Sequence, residues 1–190
     1  AWEKVIDRLL EKADTILICG AMANTFLEAK GIFMGASKVE RDKLGLAREL
    51  IALAKEKNVR LLLPIDLLGA EEIKPGAMTH QSGRISPEND APDGWKAVDI
   101  GPETITLFRS EIARAKTILW NGPPGIFEIR EFSAGTEAIA EALAASSATT
   151  IIGGGDSVTA VRHAGLADKM TFLSTGGGAS LELIEGKELP

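Results

Sequence analysis

Two segments combine glycine, small hydroxyl residues and a carboxylate in a pattern suited to holding an anion. The first is Gly153-Gly154-Gly155-Asp156-Ser157 and the second is Ser174-Thr175-Gly176-Gly177-Gly178-Ala179-Ser180. Each follows a short apolar run and precedes a stretch with helical spacing. Consecutive glycines let backbone N–H groups approach a ligand with no Cβ in the way, and a helix N-terminus adds roughly half a positive charge. The chemistry implied is a phosphate cradle. One such segment reads equally well as a tight strand-to-helix turn, but two at comparable places in the chain favour the cradle. A third segment, Trp120-Asn121-Gly122-Pro123-Pro124-Gly125-Ile126-Phe127-Glu128, sets an amide and a carboxylate around a rigid Pro/Gly turn. These groups can accept ribose hydroxyls and donate to a phosphate, or they serve only as a plain turn and a helix cap. Asp156 also has two readings, a helix N-cap or a magnesium ligand beside a polyphosphate. The ligand reading is preferred, because a carboxylate next to a phosphate repels it unless a cation lies between.

Other chemistries fail on spacing. The sequence has no Gly-x-x-x-x-Gly-Lys-Ser/Thr, so it carries no P-loop. Val158 stands where a dinucleotide fingerprint wants Gly or Ala, and Leu173, about 20 residues on, cannot bind ribose, which weakens an NAD reading. No Ser/His/Asp or Cys/His set presents itself. His163 reads as a capping group near a helix end, and His80 as a surface residue. Cys19 reads as a small buried side chain at a strand end, and Trp2, Trp95 and Trp120 as packing residues.

The elements that position these loops follow from hydrophobic patterning. Thr15 to Cys19, Val59 to Leu63, Thr117 to Trp120, Thr149 to Ile152 and Met170 to Leu173 are short continuous apolar runs, which read as strands buried on both faces. Helical spacing marks Ala1 to Lys12, Glu40 to Lys57, Glu103 to Arg114, Glu131 to Ala145, Ser157 to His163 and Ala179 to Glu185. Gly69 to Gly101 is rich in turn chemistry and reads as a loop excursion. Alternating strands and helices of this kind predict a three-layer α/β/α domain with a mostly parallel, Rossmann-like sheet, whose strand-to-helix loops share the ligand-binding carboxyl edge.

The 190 residues suit one domain spanning 1–190, with 45% hydrophobic and 25% charged residues arguing against a disordered or membrane protein. Lys and Arg number 21 against 27 Asp and Glu, a net charge of −6 with no basic cluster, which argues against nucleic acid as a partner. A single cysteine excludes an internal disulfide framework and favours a reducing compartment. No apolar stretch approaches the ~20 residues of a membrane span, so no membrane association is expected and the location expected is cytoplasmic.

Taken in order and spacing, the three glycine-bearing segments, with Gly20-Ala21-Met22-Ala23-Asn24-Thr25-Phe26-Leu27 and Pro92-Asp93-Gly94-Trp95 to Gly101-Pro102, closely resemble the carboxyl-terminal, nucleotide-binding lobe of phosphoglycerate kinase. The resemblance spans essentially the whole chain. It implies a lobe that holds MgATP or MgADP, opposite an amino-terminal lobe, missing here, that holds 3-phosphoglycerate or 1,3-bisphosphoglycerate. Lobe closure then transfers a phosphoryl group between a carboxylate and the nucleotide, by electrostatic positioning without a covalent nucleophile. Carried onto this sequence, it gives Gly20 and Ala21 the adenine wall, with Val98 on its apolar side. Asn121 meets the α-phosphate, Pro123 and Ile126 flank the ribose, and Glu128 accepts its hydroxyls. Gly153, Gly154 and Gly155 with Ser157 hold the outer phosphates, and Asp156 holds Mg2+. Gly154 and Gly155, with Gly176, Gly177 and Gly178, carry the expected catalytic role at the transferring group. The resemblance further implies a glycolytic enzyme, monomeric at full length, whose isolated lobe binds nucleotide without turnover.

The sequence departs from the family pattern at Cys19 and Ala21, where glycine is frequent, and at Pro124 and Lys38, where an apolar residue is usual. In the family, a strand and a Gly-Gly-Ala-Lys segment precede the position of Ala1. The expectation is that a segment outside these 190 residues fills the slot between the strands ending at Ile18 and Ile152. The alternative reading is a free-standing nucleotide-binding module without kinase activity.

Overall fold

Short apolar runs flanked by amphipathic stretches can hide their backbone only by pairing as strands beneath helices. The computed structural model describes residues 2–175, so the glycines Gly176, Gly177 and Gly178 and the helix expected from Ala179 to Glu185 lie outside the described residues. The chain divides into two compact units, Ala1–Thr104 and Ile105–Pro190.

In the first unit, α1 (Trp2–Lys12) leads into β1 (Thr15–Leu17), then α2 (Gly20–Ala29), α3 (Leu44–Glu56) and β2 (Arg60–Leu62). Strands β1 and β2 pair in parallel, Thr15 opposite Arg60 and Leu17 opposite Leu62. Ile6, Leu10, Ile16, Phe26, Ala47 and Leu50 close one core around them. The expected helix from Glu40 starts as a 3-10 turn, Arg41–Lys43, before α3 proper.

Helix α2 has no counterpart in the apolar patterning. Its buried side includes Asn24 and Thr25 as well as Ala23, Phe26 and Leu27, so no clean apolar stripe marks it. The two polar residues tie down the chain that follows: the Asn24 amide donates to the Lys38 carbonyl at 3.2 Å, and the Thr25 hydroxyl accepts the Glu40 N–H at 3.1 Å.

The tract expected as a loop excursion is instead an antiparallel sheet with strand order β4-β3-β5, formed by β3 (Asp66–Ala70), β4 (His80–Arg84) and β5 (Lys96–Ile100). Its β4 reads His-Gln-Ser-Gly-Arg, an exposed, polar edge strand with no apolar alternation to reveal it. At the irregularity between Asp66 and Leu68 the Leu67 N–H donates to the Ser82 hydroxyl at 2.8 Å. Trp95 lies across Gly69 so closely that an added Cβ would sit 1.6 Å from its ring.

Helix α4 (Pro102–Arg114) begins on a buried carboxylate. Asp66, 2% exposed, accepts the Glu103 N–H at 3.0 Å, the Thr104 N–H at 2.8 Å and the Thr104 hydroxyl at 2.6 Å. The Thr104 oxygen in turn accepts the N–H groups of Ile65 and Asp66. Gly101, just past the end of β5, leaves room for the carboxylate, since a Cβ there would lie 2.3 Å from the Asp66 carboxyl carbon.

In the second unit, β6 (Thr117–Asn121), β7 (Thr149–Gly153) and β8 (Phe172–Ser174) form a parallel sheet with β7 in the centre. Helix α5 (Ala134–Ala145) crosses from β6 to β7, and α6 (Gly155–His163) from β7 to β8. Ile152, Val161, Phe132 and Leu143 are almost fully buried. The five expected parallel strands are all present, in two hydrogen-bonded sets, one in each unit. The α/β alternation read from the sequence is the architecture found.

Removing the Asp66 carboxylate strands first-turn donors of α4 in a buried place. Asp66→Ala is therefore expected to lower unfolding free energy by about 3 kcal/mol, and Asp66→Asn by less, since one acceptor oxygen survives. Urea unfolding curves with unchanged slope and shifted midpoint would show this.

Candidate functional site

The carboxyl ends of β6, β7 and β8 are Asn121, Gly153 and Ser174. Parallel pairing places Asn121 opposite Gly153 and Gly153 opposite Ser174, so three of the sequence's candidate segments leave the sheet along one edge. That edge is where open α/β sheets take ligands.

Gly154 makes the exit from β7. Its φ of 89° and ψ of 146° belong to a region essentially closed to residues with a Cβ, and an added Cβ would lie 2.9 Å from the Asn121 Oδ1. The Gly154 N–H donates to the Ser174 carbonyl at 2.9 Å, joining the exits of β7 and β8. Gly154 is also the N-cap of α6, with no side-chain cap, and its carbonyl accepts the Val158 N–H at 3.1 Å. The N–H groups of Gly155, Asp156 and Ser157 are thus the first-turn donors that a helix cannot satisfy from within. This decides between the two readings of Asp156 as far as capping goes. The cap is Gly154, and Asp156 stands at the second helical position, exposed.

The segment after β6 is fastened at several points. The Gly122 N–H donates to the Ser157 hydroxyl oxygen, and the Gly122 carbonyl accepts the Trp120 indole N–H at 2.7 Å. Further on, buried Phe127 meets the His163 ring at a centroid distance of 6.4 Å. Residues 122–127 therefore run along α6 from its first turn to its last. His163 sits in that last turn, with Ala164 as the cap. Pro123 and Ile126 are half-buried, and Glu128 is exposed at the end of the segment.

The structure brings Asn121, Gly122, Gly153, Gly154, Gly155, Asp156 and Ser157 to this edge of the second unit. It places Gly20, Ala21 and Val98 in the first. Gly20, with φ of 70°, opens α2 and Ala21 is exposed beside it, while Val98 is only 2% exposed on β5, against which α2 packs. Two features escaped the sequence reading: Ser157 is 1% exposed with its hydroxyl engaged by the Gly122 N–H, and Trp120 holds the Gly122 carbonyl besides packing. Only the Trp-Asn-Gly order at a strand end could have hinted at the second.

Among the described residues no three or more His, Cys, Asp or Glu side chains gather to hold a metal. A lone exposed carboxylate fits Mg2+ of the kind bound by one or two carboxylates with phosphate and water completing the shell, and fits no all-protein cage. Cys19, immediately before Gly20, is the N-cap residue of α2. Burial first, and the neighbouring Asp99 charge second, push its thiol up to about 12.

A parallel sheet whose carboxyl edge is built from glycines and the first-turn N–H groups of a helix defines a class, the open α/β folds. Comparison with known proteins narrows it. The family model for phosphoglycerate kinase matches residues 3–187. The phosphoglycerate kinase of Chlorobium luteolum is 57% identical over 189 residues, covering 98% of this chain and 47% of that protein. That of Akkermansia muciniphila is 54% identical over 187 residues, covering 98% and 46%. Among solved structures, phosphoglycerate kinase from Coxiella burnetii superposes with a TM-score of 0.88 at 40% identity, over 96% of this chain and 47% of that one. The Pyrococcus horikoshii enzyme gives 0.75 at 30% identity. The chain belongs to the phosphoglycerate kinase family, and it shares that family's three-layer α/β/α fold. It spans about half the length of the relatives it matches.

The raised Cys19 pKa has a measurable consequence. In the folded protein at pH 8, iodoacetamide should alkylate Cys19 about a thousandfold more slowly than it does after denaturation, because the thiolate is the reacting form. The folded pKa lies above the ordinary value, so the neutral thiol's contribution to stability is complete below about pH 9 and is lost as pH rises towards 12. Asp99→Asn should lower the folded value.

Proposed function

We propose that this chain is the nucleotide-holding lobe of a phosphoglycerate kinase. In the whole enzyme, the bond between phosphorus and the acyl oxygen of 1,3-bisphosphoglycerate would break as a β-phosphate oxygen of ADP bonds to that phosphorus, leaving 3-phosphoglycerate and ATP, and the reverse reaction would run through the same geometry. The observation that carries the proposal is the Gly154 exit, which turns the first-turn N–H groups of α6 towards the sheet edge beside Asn121.

Gly153, Gly154 and Gly155 would hold the outer phosphates through backbone donors, and Asn121 would meet the α-phosphate from the neighbouring strand. Pro123 and Ile126 would flank the ribose, with Glu128 accepting its hydroxyls. For the first unit the proposal gives Gly20 and Ala21 a place against adenine, with buried Val98 as apolar backing. Asp156 would hold Mg2+, which when bound neutralises charge on the phosphate oxygens. No covalent nucleophile is needed where positioning and charge stabilisation carry the transfer. Gly154 and Gly155, with Gly176, Gly177 and Gly178, would face the transferring group. The acceptor site lies in the other half of the enzyme, so the isolated chain would bind nucleotide without turnover. No helix among the described residues is long and apolar enough to cross a membrane. A cytoplasmic, monomeric glycolytic enzyme completes the proposal.

The test is metal dependence. Asp156→Ala should weaken MgADP binding by about tenfold or more in calorimetry while changing metal-free ADP little. Equal losses with and without magnesium would refute the ligand role. Failure of the unsubstituted protein to bind MgADP at millimolar concentration would refute the function.

A further inference from the structure

Gly122 is held on both sides, its N–H by the Ser157 hydroxyl oxygen and its carbonyl by the Trp120 indole at 2.7 Å. Trp120 is 6% exposed and Ser157 1%, so neither bond competes directly with bulk water. Gly122 itself has φ of 102°, a backbone state that would drift without such support. Immediately before it stands Asn121, whose Oδ1 lies over Gly154. After it the segment runs to Phe127, packed on His163. Gly122 is therefore the point from which both the amide at the sheet edge and the start of the following segment take their direction.

We propose that Ser157 is a positioning residue and not a phosphate ligand: its hydroxyl latches the segment after β6 to the first turn of α6 and so sets Asn121 above Gly154. Ser157 as a whole has almost no accessible surface to offer a ligand, and its hydroxyl already accepts a backbone N–H. The Ser157 backbone N–H stays with the first-turn donors of α6. The latch stands on the geometry alone, while its effect on binding rests on the nucleotide reading given above.

The experiment follows the latched hydrogen itself, by NMR amide exchange in the protein at its natural length. Gly122 should exchange at least about tenfold faster in Ser157→Ala than in the unsubstituted protein, and Ser157→Thr, which keeps the oxygen, should restore protection. In parallel, adenosine and MgADP should both bind about fivefold more weakly to Ser157→Ala, and by the same factor, because what has moved is the segment and not a phosphate contact. Unchanged Gly122 exchange overturns the latch. So does a loss confined to MgADP with adenosine unaffected, the signature of a direct phosphate ligand. Should Ser157→Ala fail to fold, exchange in the unsubstituted protein decides: protection of about a hundredfold over an unstructured glycine supports the latch and the unprotected rate overturns it. If the unsubstituted protein binds neither ligand, the nucleotide reading falls, and Gly122 exchange still tests the latch.

Discussion

A parallel strand that must become a helix within one residue needs a backbone state that few residues can adopt, and here that residue is Gly154. Its φ of 89° and ψ of 146° would cost a residue with a Cβ on the order of 1–3 kcal/mol, before any clash with Asn121. What depends on this residue is the direction of the next three N–H groups. With glycine as the cap, no side chain competes for them, and they remain for a ligand. A serine or aspartate cap would stabilise the helix by about 1 kcal/mol and occupy the donors at the same time. The helix thus forgoes a common stabilising device at the one end where its dipole is useful.

A net charge of −6 does not by itself oppose the anion proposed for this edge. Net charge acts over the whole surface and is screened within about 10 Å at ordinary ionic strength, whereas aligned N–H dipoles act at contact distance. One exposed carboxylate at the second position of α6 adds negative charge beside this edge, which the proposed Mg2+ would offset. The chain covers about half of the enzymes it matches, and the proposal made for this edge concerns nucleotide binding alone.

The sequence revealed the parallel strands because their apolar runs are short and unbroken beside a glycine or proline stop, yet burial on both faces holds only for β7: Arg60 of β2 is exposed, and Phe172 and Leu173 of β8 are 48% and 36% exposed. Helix α2 stayed hidden because Asn24 and Thr25 face inward to hold the Lys38 and Glu40 backbone, which erases the stripe that periodicity detects. Strands β3 to β5 stayed hidden because β4 is polar on both faces and β3 is fixed by Trp95 and Ser82, partners distant in sequence. At the candidate site, glycine content alone pointed to the edge. The roles within it could not be read the same way. Which of three glycines caps α6, and therefore where Asp156 and Ser157 fall on its first turn, depends on the strand register with β6 and β8.

The central claim is that the Gly154 backbone state creates the binding edge, and the most direct test is MgADP affinity in Gly154→Ala, with circular dichroism and melting to confirm that the fold persists. The account predicts a loss of about tenfold or more in affinity with a modest fall in melting temperature. Gly155→Ala, whose Cβ would meet nothing within 4 Å in the protein and whose φ is not in the left-handed region, should melt at nearly the parent temperature. A Gly154→Ala protein that folds and binds MgADP as tightly as its parent would contradict the account.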